Sequence, residues 1–147
     1  ALQQKKIPEL SKFDFIRPEY TIGDSRLDFL LLPHESTSLE SGLYLEVKSV
    51  TMVSDETASF PDAISTRGQK HLALLTALCN QGKKSAILFV VQREDAKVFC
   101  PADDIDPTYG KLLRQASLAG VQILCYSCQV SKQGLSLAKP IPIKLSE

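Results

Sequence analysis

The pattern of apolar and polar positions predicts a chain built mainly from strands, with helices entering in its second half. Residues that are continuously apolar, or that alternate apolar with polar, predict seven strands, at 13–20, 25–32, 43–50, 86–91, 97–101, 122–129 and 135–141. The run 86–91 is apolar throughout, which is typical of a central strand covered on both sides. The segment 97–101 is predicted to be its short partner after a turn, and the polar stretch 51–62 to be a loop.

Two helices are predicted from their start and stop signals. Thr66 to Gln69 fits a capping box and Gly82 a left-handed stop, which predicts a helix over Arg67–Gln81. Asp106-Pro107 and Gly120 repeat this signature and predict a second helix between them. With a short helix end expected over residues 1–10, the order of elements predicts an α/β fold, a mixed central sheet with helices on both sides.

Length and composition narrow the class of protein. A chain of 147 residues, with 17 basic and 17 acidic residues and 44% apolar residues, is typical of one globular domain with a single core. The longest apolar run is far shorter than the roughly 20 residues that cross a bilayer, and no basic-then-apolar leader opens the chain. We therefore expect no membrane association and a cytoplasmic location. Because the chain begins at Ala1 without Met, we expect a fragment or a trimmed chain.

The charge is balanced in total but uneven along the chain. Residues 63–84 contain four basic residues and no acid, and residues 107–147 contain five basic residues and one acid. These stretches could form one basic face that binds nucleic acid. The alternative is that they are ordinary solvated faces of helices and strands.

The four cysteines favour reduced core residues over a metal site. Only Cys125 and Cys128 have a suggestive spacing, and they lie in a predicted strand, where residues three apart point to opposite faces. No second pair of this kind exists in the sequence. Zinc binding is therefore disfavoured, and burial of the thiols is expected.

Three charged residues on neighbouring predicted strands form the strongest candidate site. Alternation in Tyr44–Lys48 places Glu46 and Lys48 on one face of a strand, and Asp28 lies in the apolar strand before it. If these strands are antiparallel neighbours, Asp28 lies beside Glu46. Two adjacent carboxylates suit Mg2+ or Mn2+, because these cations prefer oxygen ligands. Lys48 would then neutralise a phosphate or position a water molecule.

The Glu-x-Lys pattern is weak when taken alone, because a pair of this kind occurs often by chance. Asp95-Ala96-Lys97 also fits, yet it lies in a predicted turn without a neighbouring buried acid, and we interpret it as solvated. A simple strand ion pair is the alternative for Glu46 and Lys48. Asp28 weakens that alternative, because a third charge is not needed for an ion pair.

A second polar group stands at the start of the first predicted helix. Backbone N–H groups and the helix dipole favour an anion there, so a phosphate could dock at this end. A hydrogen-bonded helix histidine is the alternative for His71. The predicted DNA-binding side chains are Arg26, Arg67, Gln69, Lys70 and His71.

Several blocks of sequence resemble the sugar fermentation stimulation protein family. They occur in the family's order along most of the chain: 23–29, 44–51, 60–63, 67–72 and 105–107. The resemblance implies a DNA-binding protein linked to the regulation of sugar (maltose) metabolism. It also implies a restriction-endonuclease-like fold, which is also called the PD-(D/E)XK nuclease-like fold after the motif that its members share.

Carried over residue by residue, that motif places its first acid at Asp28, its second at Glu46 and its lysine at Lys48, with the Val47 carbonyl as a further metal ligand. Leu27 replaces the motif's proline, and the literal Pro61-Asp62 comes too late in the chain for that role. The family's chains also carry an N-terminal domain that resembles an OB-fold, and nothing in residues 1–147 corresponds to it. We therefore expect a single nuclease-like domain here.

Three functions stay open at this point. The first is a divalent-metal-dependent nuclease that acts on DNA without strong sequence preference. The second is a DNA-binding regulator that keeps the fold without useful turnover. The third is a structural or interaction domain in which Asp28, Glu46 and Lys48 satisfy one another. The sequence does not give the oligomeric state.

Overall fold

The computed structural model describes residues 7–11, 13–22, 25–33, 42–131 and 134–146. A 3-10 helix spans Pro8–Leu10. The α-helices are α1 (Thr66–Asn80) and α2 (Pro107–Ala119). The strands are β1 (Phe13–Ile22), β2 (Ser25–Pro33), β3 (Leu43–Val50), β4 (Met52–Ser54), β5 (Thr57–Phe60), β6 (Lys84–Val91), β7 (Val98–Pro101), β8 (Gln122–Ser131) and β9 (Gly134–Pro140).

The main sheet has six strands in the order β1-β2-β3-β6-β8-β9. Its inner strands β3, β6 and β8 run parallel, and the outer pairs are antiparallel. The predicted mixed sheet is confirmed, and so is the central position of the apolar strand β6. The sequence predicts a short helix end over residues 1–10. Residues 1–6 of it lie outside the described residues, and the 3-10 helix lies within the remaining four.

Both α-helices pack on the same side of the main sheet, so the prediction of helices on both sides is wrong for these two helices. Leu72 and Leu75 of α1 and Leu113 of α2 share one core cluster with Tyr44 and Phe89 of the sheet. Each helix connects neighbouring parallel strands, first β3 to β6 and then β6 to β8. Because such crossovers are right-handed, two successive steps in one direction place both helices on one face. On the other face, Ile7 and Leu10, in and beside the 3-10 helix, pack against Phe13 of β1 and the apolar residues of the sheet.

The segment 51–62 is a β-hairpin, so the predicted loop is wrong. β4 and β5 are antiparallel and joined by Asp55 and Glu56, both with positive φ. This two-residue turn normally carries Asn-Gly or Asp-Gly, and the absence of glycine hid it. The predicted partnership of 97–101 with β6 is also wrong, because β7 pairs in parallel with β5 in a second, three-stranded sheet.

The helix boundaries differ in detail from the prediction for α1 and agree for α2. Ser65 caps α1, since its Oγ accepts a hydrogen bond from the Gly68 N–H at 2.9 Å, so the predicted capping box at Thr66 is wrong. Asp106 caps α2 as predicted, and Gly120 ends that helix with φ 108. The positive φ of Gly82 supports its predicted role after α1.

The cysteines are free thiols, as predicted. Cys125 and Cys128 are buried, and Cys79 and Cys100 are half-buried. Burial raises the pKa of the Cys125 thiol to about 12, so this side chain stays protonated and unreactive at neutral pH. Among the described residues, no α-helix is long and apolar enough to cross a membrane.

Candidate functional site

The site begins where β2 and β3 separate. The last registered pair of these antiparallel strands is Phe29 with Leu45. Beyond it, the Asp28 N–H donates to Glu46 Oε1 at 3.2 Å, and the Val47 N–H donates to Asp28 Oδ2 at 2.8 Å. Hydrogen bonds from backbone N–H groups to the two carboxylates thus replace the backbone–backbone hydrogen bonds between the strands at this point. The predicted juxtaposition of Asp28 and Glu46 is therefore present.

Glu46 is the centre of a cluster of charged groups. Its side chain is nearly fully buried, at 2% exposure. Lys48 Nζ lies 3.1 Å from Glu46 Oε2 and 3.2 Å from Nδ1 of His71. His71, also buried, brings Nδ1 into contact with the same Glu46 oxygen. The alternation of β3 therefore places Glu46 and Lys48 on the α1 side of the sheet, where His71 meets them.

Burial shifts the pKa values of the two central groups in opposite directions. Burial, followed by a hydrogen bond with Asp28, raises the pKa of Glu46 to about 7, although Lys48 pulls it down. Burial, followed by the charge of Lys48, lowers the pKa of His71 to about 4. His71 is therefore neutral at neutral pH. Two carboxylates that are this close favour a shared proton or a cation between them.

Replacing Glu46 with glutamine is expected to stabilise the cation-free protein at pH 8. The pKa of Glu46 is about 7 in the fold against an ordinary 4.5, so the folded state holds a proton that the unfolded state has released in this window. Stability therefore falls as the pH rises from about 4.5 to about 7, and the loss persists above pH 7. Glutamine removes a cost on the order of 1–3 kcal/mol.

Urea unfolding at pH 8 checks this expectation. His71 does not interfere, because its lowered pKa costs stability only as the pH falls from 6.5 towards 4. Glu56→Gln is the matched control, since Glu56 forms an exposed ion pair with Lys97 at 2.7 Å. The control should change stability by less than about 0.5 kcal/mol. A Glu46→Gln variant less stable than the wild type would contradict the prediction.

Asp106 joins the N-terminal ends of the two helices. Its buried carboxylate accepts hydrogen bonds from the backbone N–H groups of Ser65 and Tyr109 and from the side-chain amide of Gln69, each at 3.0 Å. Burial alone would raise the pKa of Asp106, but these hydrogen bonds outweigh it and lower the pKa. The link fixes the first turn of α1, and His71 reaches Glu46 from the turn that follows.

The comparisons with known proteins identify the family. The model of the sugar fermentation stimulation protein RE domain matches residues 1–134. This chain belongs to the sugar fermentation stimulation protein family. The membership confirms the resemblance seen in the sequence blocks.

Named relatives in the sugar fermentation stimulation protein family extend beyond this chain. A homolog from Nitrosococcus oceani is 45% identical over 99% of this chain and 62% of its own length. One from Citrifermentans bemidjiense is 46% identical over 99% of this chain and 61% of its own length. The chain thus spans about three-fifths of the length of the curated relatives it matches.

A solved structure of the family shares the fold. It is described as Pyrococcus furiosus SfsA in complex with Ca2+, and it is 29% identical with a TM-score of 0.86. The match covers 96% of this chain and 59% of that one. The α/β architecture of this chain is therefore that of the sugar fermentation stimulation protein family.

The predicted DNA-binding residues of this family member divide into two groups. Arg26, Arg67 and Lys70 are exposed. Gln69 is bound to Asp106, and His71 is turned inward to Glu46. The structure therefore brings only part of the predicted set to the surface. Their role in binding DNA stays a prediction.

The predicted metal ligands are Asp28, Glu46 and the carbonyl of Val47. Within the part of the chain that the structure describes, no three or more His, Cys, Asp or Glu side chains are grouped so as to hold an ion. A cation here would therefore depend on two carboxylates, a backbone carbonyl and water, a set that suits Mg2+ or Mn2+. The donor chemistry therefore fits such a cation.

The second acidic-x-Lys pattern is solvated, as predicted. Asp95 pairs with Arg93 at 2.6 Å and Lys97 with Glu56 at 2.7 Å, and all four side chains are exposed. Glu46 thus differs from the acids of these exposed ion pairs, because it is buried and lies beside a second carboxylate.

Sequence reasoning missed Asp106 as an organiser of the site. Its cap signal was recognised, but its link to α1 depends on how the helices pack.

Proposed function

We propose that this chain is a divalent-metal-dependent nuclease domain that hydrolyses DNA phosphodiesters. The observation that carries the proposal is the adjacent pair Asp28 and Glu46, with Lys48 Nζ 3.1 Å from the Glu46 carboxylate. The family's domain description and the shared fold support it. The location proposed with this function is the cytoplasm.

Asp28, Glu46 and the Val47 carbonyl would hold the cation, Mg2+ or Mn2+. When bound, the ion polarises the phosphodiester and lowers the pKa of a water molecule. The Ca2+ complex of the Pyrococcus furiosus relative supports cation binding, because Ca2+ also takes oxygen ligands. The raised pKa of Glu46 supports it too, since a nearby cation removes the cost of ionising this carboxyl.

The protein's own cations would act on the phosphate. Lys48 is half-buried beside Glu46, where a positive charge stabilises negative charge that develops on the phosphate oxygens. Arg67 and Lys70 are exposed near the start of α1 and would hold the DNA backbone. His71 orients Glu46 from inside the fold.

A second candidate is a DNA-binding regulator of sugar (maltose) metabolism without catalysis. One observation favours it: Glu46 Oε2 is already occupied by both Lys48 and His71. A carboxylate satisfied in this way needs no cation. In that case the exposed basic residues carry the function.

The deciding experiment uses labelled single- and double-stranded DNA at low salt with Mn2+. The wild type, Glu46→Ala and the exposed control Glu56→Ala are compared for DNA retention and for cleavage. Cleavage by the wild type and the control but not by Glu46→Ala supports the nuclease. Retention without cleavage by any of the three proteins supports the regulator, and neither retention nor cleavage would overturn both.

Mn2+ is expected to raise the melting temperature of the wild type but not of Glu46→Ala. A ligand that binds only the folded state stabilises it by about 2.7 kcal/mol at a hundred times its Kd. The measurement is a thermal melt with and without Mn2+, with Glu56→Ala as the matched control. If Asp28, Glu46 and Lys48 merely satisfy one another, as in a structural domain, the melting temperature will not move.

DNA retention is expected to weaken in an Arg67→Ala, Lys70→Ala double variant. If each side chain neutralises one phosphate, the slope of log K against log salt should become shallower by about 2. Lys84→Ala is the control, because this exposed lysine begins β6, beyond the far end of α1. A double variant with the wild-type salt slope would remove these residues from the DNA-binding surface.

A further inference from the structure

Tyr109 carries a hydroxyl without a partner in the interior of the protein. The residue is fully buried in the first turn of α2, and its backbone N–H donates to Asp106. Among the described residues, its Oη is the one buried side-chain oxygen or nitrogen without a hydrogen-bond partner. Buried hydroxyls are nearly always hydrogen-bonded, so an unpaired one calls for an explanation.

The hydroxyl end of the Tyr109 ring approaches α1. The ring packs edge-on against Phe60, with the ring centroids 5.3 Å apart. A Cβ at Gly68 would lie 3.1 Å from Cε2, the carbon next to the one that bears the hydroxyl. Gly68 stands one helical turn before His71, so both lie on the buried face of α1. Glycine at position 68 therefore leaves room for the ring beside the candidate site.

Two carboxylates influence this phenol. After burial, the charges of Glu46 and Asp106 raise the pKa of Tyr109, so the hydroxyl remains a donor at all ordinary pH values. Asp106 already accepts hydrogen bonds from Ser65, Gln69 and the Tyr109 N–H. Among the described residues, Glu46 Oε1 by contrast accepts a single backbone hydrogen bond, the 3.2 Å bond from the Asp28 N–H. Glu46 is therefore the better acceptor.

We propose that Tyr109 is a positioning residue of the cation site, whose hydroxyl donates to Glu46 Oε1 when the carboxylate shifts to hold a bound cation, while Oε2 stays in contact with His71. The Tyr109 hydroxyl has no hydrogen-bond partner among the described residues, so the bond forms only with that shift. Partners of this kind orient metal-binding carboxylates and tune their affinity. The inference rests on the proposed function, since it requires that Glu46 binds a cation.

Titration of Mn2+ into the wild type and Tyr109→Phe by calorimetry tests the proposal. We expect about tenfold weaker Mn2+ binding by the variant, the lower end of the range for loss of such a partner. The urea unfolding midpoint without cation should not fall, because the hydroxyl has no partner to lose.

Tyr126→Phe is the matched control. Its hydroxyl donates to Glu9 Oε1 at 3.0 Å, on the other face of the sheet from His71. This variant should lose stability and keep the wild-type affinity for Mn2+.

The outcomes separate the inference from the function on which it rests. Wild-type affinity in Tyr109→Phe would overturn the inference and leave the cation site standing. A fall in the cation-free unfolding midpoint of Tyr109→Phe would also overturn it, because the hydroxyl would then be structural. A wild type that binds no Mn2+ would overturn the proposed function itself.

Discussion

Lys48→Ala is expected to lose Mn2+-dependent DNA cleavage by a factor of about 10² to 10³ while still binding Mn2+. Lys48 is not a predicted cation ligand, and its ammonium lies 3.1 Å from the Glu46 carboxylate on the side of the sheet where His71 meets it. Its charge is therefore suited to stabilise negative charge in the transition state. Cleavage rates at saturating Mn2+ and a separate Mn2+ titration measure the two effects independently.

Asp28→Ala should behave differently from Lys48→Ala. Asp28 is a predicted ligand, so its loss should remove both Mn2+ binding and cleavage.

Lys97→Ala is the matched control for Lys48→Ala, because the ion pair of Lys97 with Glu56 is exposed. If Lys48→Ala cleaves at the wild-type rate, the assignment of the motif to Asp28, Glu46 and Lys48 is wrong. If it loses Mn2+ binding as well, its role is to support the carboxylates.

The site's two carboxylates and its lysine were predictable because they depend on strand geometry alone. The period of two in β3 places Glu46 and Lys48 on one face, and the structure gives Leu43–Val50 as the predicted strand. Asp28 required one further assumption, that β2 and β3 are antiparallel neighbours, and this holds. Consecutive strands usually pair, so the assumption was physically sound.

The remaining contacts of the site depend on packing between distant elements. His71 reaches Glu46 only because α1 lies on that face of the sheet, and Asp106 meets Gln69 only because the two helices begin side by side. The helix pattern shows that His71 lies on a helix, but not what the histidine faces. The hairpin β4–β5 was hidden for another reason, since Asp55 and Glu56 adopt positive φ without glycine.

Asp106→Ala is expected to destabilise the fold by roughly 2 kcal/mol or more. The variant leaves the buried N–H of Tyr109, whose bond to Asp106 is the cap of α2, without an acceptor, at about 1–3 kcal/mol. It also removes the acceptor of the half-buried Ser65 N–H and of the Gln69 amide. Urea unfolding measures the loss. Asp103→Ala is the control, because Asp103 pairs with Arg114 at a half-exposed position and should cost less than about 1 kcal/mol. Equal losses in the two variants would contradict the special role of Asp106.

Asp106→Asn separates the hydrogen bonds from the charge. The pKa of Asp106 is lowered in the fold from an ordinary 3.8, so its contribution is present above that pH and is lost as the pH falls through the folded value. Asparagine cannot titrate. The variant should therefore be less stable than the wild type at pH 7 and should lose less of its free energy of unfolding as the pH falls.

Asp106 holds the turn of α1 that precedes His71. Asp106→Asn should therefore weaken Mn2+ binding less than Asp106→Ala does, because asparagine still offers a side-chain oxygen as an acceptor. If instead Asp106→Asn and Asp106→Ala both bind Mn2+ as tightly as the wild type, the hydrogen bonds of Asp106 stabilise the helices without setting the position of His71 against Glu46.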